Sequence, residues 1–143
     1  MKITILVGRL LFSLIFLLSG PTLFSPASAG YAASQGVPLA NILVPVSGVL
    51  SILGAVSIIL GYKARVGAAM LIVFLLPVTL VFHHFWTITD PGARETEMIE
   101  FLKNISMLGG AIVILIHGAG PLSLDSRAKN TPPELQPQYA NKR

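Results

Sequence analysis

The side chains able to do chemistry in this sequence are few, and nearly all sit inside or beside long apolar runs. Glu100, Lys103 and Asn104 form the sharpest cluster. Spaced i, i+3 and i+4, they share one helix face, where Glu100 can neutralise Lys103 while Asn104 offers an amide beside them. One reading is a polar face lining a cavity near the outer leaflet, where a quinone or another head group hydrogen-bonds. The other is an ion pair at a helix mouth with an interhelical hydrogen bond. His83-His84-Phe85-Trp86 ends another apolar run. Trp86 suits an interfacial aromatic belt. Adjacent histidines on a helix point about 100° apart, which is poor geometry for chelating one metal, although either could shuttle a proton or bond a quinone carbonyl.

Arg9 stands about one-third of the way into the first apolar run. An ionisable group at such depth costs roughly 2.5–3.5 kcal/mol on insertion scales, so it needs a partner or a wet cavity. It either holds an anionic head group or carboxylate, or snorkels to the interface along its aliphatic stem. His117, just before Gly118, reads as a helix-end residue. The chain has no cysteine, which excludes disulfides and thiolate metal sites. No haem, flavin or metal motif is present, so catalysis by the isolated chain is not expected.

The elements carrying these residues follow from hydropathy. Of 143 residues, 53% are hydrophobic and 11% charged, less than half the roughly 25% charged content of soluble domains; mean hydropathy is +0.76. A membrane span takes about 20 mostly apolar residues, and four such blocks are present. The expected fold is an all-α membrane protein: a four-transmembrane-helix bundle over residues 1–125, with helices at about 3–24, 39–60, 65–86 and 98–117. The last helix is expected to begin nearer Pro91, a residue suited to a first turn. Residues 25–38 could hold a short interfacial helix, and Gly61 to Arg65 reads as a tight turn. Pro77 predicts a kink. Gly48, Ser51, Gly54 and Ser57 recur every three residues, allowing close helix contact. Residues 126–143 read as a disordered polar tail.

Basic residues near helix ends set orientation. Lys2, Lys63, Arg65, Arg127 and Lys129 fall on one side; Arg94 and Lys103 fall on the other. Both termini are therefore expected in the cytoplasm of a bacterium, with the chain in its inner membrane. The net charge of +4 comes from scattered residues, so the bilayer is the expected partner and nucleic acid is not. Ala27-Ser28-Ala29 before Gly30 imitates a signal-peptide cleavage site. The apolar run before it, however, exceeds the usual 7–15 residues and is interrupted by Arg9.

The sequence resembles the DoxX family of small bacterial membrane proteins over about residues 7–125. The resemblance rests on Arg9-Leu10-Leu11 with Ser19-Gly20, Gln35 to Pro38, Leu60 to Arg65, and Phe82 to Trp86. Phe101 to Asn104 with Gly109-Gly110, and Gly118 to Asp125, complete it. It implies a four-helix bundle that keeps its first helix. It also implies an accessory or quinone-linked subunit of a membrane oxidoreductase system tied to oxidative stress, with a membrane or periplasmic oxidoreductase partner. A quinone would then be the cofactor, touching Arg9, His83, His84, Lys103 or Asn104. Two family charges are missing: Ser51 stands where helix two commonly carries Glu, and no Lys follows Ser19-Gly20. The alternative is a non-catalytic scaffold or small transporter-like bundle. Self-association is left open.

Overall fold

A computed structural model describes residues 2–129, and among these all regular structure is helical. Four helices are long and apolar enough to cross a membrane, so the chain is a multi-pass, all-α membrane protein. Helix α1 spans Lys2–Ser19, and the span finishes as a 3₁₀ turn over Gly20–Phe24. The α-helix expected to reach 24 thus stops early. Pro21 has no N–H to bond back one turn, so the ladder tightens there. The short interfacial helix is α2, Pro26–Ser34, with Ser25 Oγ accepting from the Ser28 N–H at 3.2 Å.

Helix α3 covers Ala40–Leu60 and closes on Gly61 at φ 64°. The Gly61 N–H donates to the Ile58 carbonyl and that of Tyr62 to the Ser57 carbonyl, both at 3.1 Å. This paired pattern satisfies carbonyls that a helix end would otherwise orphan. Helix α4 follows at once, Ala64–Phe82. Pro77 lies within it, as does Pro45 within α3.

The expectation that α4 runs through residue 86 is corrected. His83 leaves helical geometry at φ −114°, ψ 42°, and a separate 3₁₀ turn occupies Phe85–Thr87. Helix α5, Pro91–His117, begins where its proline allows, with Asp90 Oδ2 accepting from the Ala93 N–H at 2.8 Å. At 1.5 Å per residue it is about 40 Å long, against a hydrocarbon core of about 30 Å. Tilt or a projecting end accommodates such an excess. The disordered tail expected from residue 126 is corrected in part: Leu124–Lys129 forms a short helix, α6. The rest of that tail lies outside the described residues.

The spans pack in the order α1 on α3, α3 on α4, α4 on α5, with α2 lying on α3 and the first 3₁₀ turn. The small-residue stripe makes the two inner crossings. Gly48 lies against the Gly20 carbonyl and Leu23, while Gly54 and Gly67 face one another across α3 and α4. A Cβ on Gly54 would sit 2.9 Å from the Gly67 carbonyl oxygen, so neither position has room for a side chain. Phe16, Ile58, Leu71, Phe74 and Leu75 fill the core.

By contrast, α1 and α5 do not pack along their length. They approach where the Phe12 ring covers Gly110; a Cβ there would be 2.8 Å from the ring. The bundle is thus open on one side, and α5 buries the smallest share of the four spans.

Candidate functional site

The helix directions divide the polar residues between two ends. At the basic end lie the start of α1, the α3–α4 turn, and the segment from His117 to α6. Arg9 organises this end. It is 4% exposed, and its guanidinium donates three hydrogen bonds to backbone carbonyls. Nη1 reaches Ala119 at 2.8 Å, and Nη2 reaches Ile59 at 3.2 Å and Leu122 at 3.1 Å. These carbonyls lie at the end of α3 and in the irregular 118–123 segment, where no helical N–H is available to them. The Arg fork suits this role because it offers several donors in a fixed plane. Arg9 thus ties the first helix to the last segment.

A second tie crosses the same end. Asp125 Oδ1 and Oδ2 accept from the Lys63 and Ala64 N–H groups at 2.8 and 3.1 Å, capping α4 from a distant part of the chain. A carboxylate there meets both the unpaired donors and the positive end of the helix dipole. Sequence reasoning missed this cap. Its local signal was the Ser123-x-x-Ser126 spacing at the start of α6, where the Ser126 N–H donates to Ser123 Oγ at 3.1 Å.

The opposite, acidic end holds the other predicted residues. The two histidines diverge. His83 Nδ1 lies 2.7 Å from Glu97 Oε2, joining the end of α4 to the second turn of α5. His84 Nδ1 lies 2.7 Å from the Val81 carbonyl, within its own turn. Lys103 is ion-paired with Glu100 on the exposed flank of α5. Asn104 is different: the residue is 5% exposed, and its carboxamide makes no hydrogen bond among the described residues. The interhelical bond considered for it does not form.

Asn104 instead lines a cavity of about 220 Å³ between α1 and α5, with Phe16, Ser19, Thr22, Leu23, Phe74, His83 and Lys103 also in its wall. Ser19 and Thr22 donate to the Ile15 and Ser19 carbonyls, while His83 and Lys103 have their acidic partners. Asn104 is therefore the polar group in that wall left with its hydrogen-bonding capacity unspent. Leu23, Phe74, Val78 and His83 are shared with a larger cavity of about 470 Å³, which reaches Ser28, Tyr31 and Val44 beneath α2. The two spaces share those four residues as walls, and together they line a crevice region that is apolar apart from His83. Arg9 takes no part in it. Leu23, Tyr31, Phe74 and Val78 were not anticipated, since nothing distinguishes them locally from lipid-facing residues.

The comparisons with known proteins decide the family. Residues 36–131 match the SURF4 family. The chain belongs to the SURF4 family. The resemblance to DoxX proteins is thereby overturned, and the quinone-linked oxidoreductase-subunit role falls with it. The chain is similar to several curated proteins, one of them the inner membrane protein YphA of Escherichia coli, 32% identical over 127 residues covering 87% of this chain and 90% of that protein. Another is the E. coli inner membrane protein YqjF, 28% identical over 85% of this chain and 88% of YqjF. A third is the ER-derived vesicles protein ERV29 of Saccharomyces cerevisiae, 31% identical over 81 residues, or 57% of this chain and 26% of the yeast protein. The chain thus spans about a quarter of that eukaryotic SURF4-family member. No solved structure matches it.

Proposed function

We propose that this chain is a non-catalytic receptor of the bacterial inner membrane, which holds an amphiphilic guest in the crevice at its acidic end. The guest places an apolar chain among Leu23, Phe74 and Val78 and a carbonyl or amide group against Asn104. One observation carries the reading: a nine-tenths-buried carboxamide with no internal partner faces a cavity whose other polar groups are already satisfied. A bound partner would supply the hydrogen bonds that this amide lacks within the protein. An amide offers both a donor and an acceptor, so it suits a guest ester or amide.

The length-matched E. coli relatives, both inner membrane proteins, support that membrane. The charge distribution supports cytoplasmic placement of the basic end, which would turn the crevice toward the far side. ERV29 is named for ER-derived vesicles, a setting in which membrane receptors act, and this accords with binding rather than turnover. The test is photolabelling with a diazirine-bearing acyl amide in mild detergent. Labelled peptides should come from residues 71–83 and 100–107 in the wild type and vanish in Asn104→Leu. Labelling spread evenly over the lipid-facing helices, or unchanged in that variant, would overturn the reading.

A further inference from the structure

A second cavity lies at the basic end, remote from Asn104. Below the Phe12–Gly110 approach, α1 and α5 separate around a cavity of about 480 Å³ walled by Ile5, Gly8, Phe12, Val113 and Ile114, with Arg9 behind them. Its lining is almost wholly apolar, and the missing α1–α5 packing leaves it open sideways to the bilayer. Residues His117 to Gly120 also line a more polar cavity of about 610 Å³ beside Lys63 and Arg65 at the basic end. An apolar slot and a cavity edged by cations thus share one wall.

We propose that this groove binds an anionic phospholipid, with one acyl chain between α1 and α5 and the phosphate at Arg65, Lys63 and His117. The charges fit. Arg65 spends Nη2 on the Ile116 carbonyl at 3.0 Å and keeps its other donors. Lys63 lies exposed with its ammonium 5.7 Å from the Tyr62 ring centroid. Asp125, the acid in the same wall, is committed to the two N–H groups at the start of α4. With Arg9 in the slot wall, three cations stand against one engaged carboxylate, a positive excess that attracts a phosphodiester. A free anion would meet the same cations but would leave the slot empty; a zwitterionic lipid would fill the slot without needing the cations.

Gly8 supplies a selective probe. A Cβ built there meets no atom within 4 Å, so a side chain at Gly8 starts into open space, and Gly8→Leu is the slot-filling variant. The full chain is reconstituted in nanodiscs of phosphatidylcholine with a minor fraction of phosphatidylglycerol, and the lipids that remain bound on gentle release are counted by native mass spectrometry. The wild type should retain one phosphatidylglycerol in preference to phosphatidylcholine. Lys63→Gln and Arg65→Gln should each lower that preference roughly fivefold, as expected for a cation near an anionic head group. Gly8→Leu should lose the bound lipid, and Asn104→Leu should keep it. Equal retention of both lipids by the wild type, retention by Gly8→Leu, or displacement by inorganic phosphate at millimolar concentration would overturn the proposal.

Discussion

Replacing Arg9 with Met isolates the tie between the first helix and the last segment. Methionine keeps an unbranched stem of similar length and removes all five guanidinium donors. Three carbonyls, at Ile59, Ala119 and Leu122, then lose their hydrogen bonds. Bonds from charged donors in water-soluble proteins contribute about 1.5–3 kcal/mol each, whereas side-chain bonds in membrane helices average about 0.6 kcal/mol. These carbonyls sit near the surface at one end of the bundle, between the two settings. The loss should therefore total about 2–5 kcal/mol. Removing the charge returns little, because in the unfolded but inserted helix Arg9 already snorkels to water. The assay is reversible unfolding in mixed micelles, following near-ultraviolet circular dichroism as denaturing detergent is raised. Arg9→Lys supplies a cation without the fork and should recover less than half of the loss. An Arg9→Met protein within about 0.5 kcal/mol of wild type would refute the reasoning, since bonds of this number cannot be that weak together.

Four further outcomes follow from the geometry. Gly54→Ala sets a Cβ 2.9 Å from the Gly67 carbonyl oxygen and should cost about 1–3 kcal/mol as overpacking, whereas Gly109→Ala, with open space around it, should not destabilise; the same unfolding assay compares them. Asp125→Ala removes the cap on α4 and should cost about 0.5–2 kcal/mol, with faster amide exchange at Lys63 and Ala64 seen by hydrogen-exchange mass spectrometry. The Ser13 hydroxyl is buried without a partner, so Ser13→Ala should be neutral or stabilising by up to about 1 kcal/mol. A double-mutant cycle on His83→Ala and Glu97→Ala should give a coupling below about 1 kcal/mol, since both side chains are partly exposed.

The spans were legible because lipid demands long apolar runs whose backbone bonds close internally, and four spans group their ends into two sets. Their packing was not. In a bilayer the lipid-facing and protein-facing sides of a helix are both apolar, so Phe74 and Val78 at the crevice read no differently from Val73 and Leu76 outside it. The end of α4 was misjudged because apolar residues run on through Phe85. His83 instead leaves helical geometry with Nδ1 against Glu97, 14 residues on, and no local pattern encodes that contact. Arg9 was visible as a buried charge, but its three acceptors lie about 50 to 113 residues away. The cluster at Glu100, Lys103 and Asn104 was found from spacing alone. Spacing did not show that Asn104 turns inward, one residue beyond a lysine that turns out. The DoxX resemblance failed for a related reason. Glycine turns, small-residue stripes and an interfacial Trp are what many small membrane bundles need, so they discriminate poorly between families.

The receptor account rests on Asn104, and one spectrum addresses it. Wild-type protein released from native membranes into mild detergent should carry, by native mass spectrometry, a non-covalent guest that Asn104→Leu lacks, while the variant melts no lower than wild type because its unpaired amide is gone. A wild type with no guest beyond lipids shared equally with the variant would contradict the account, as would a variant that keeps the guest.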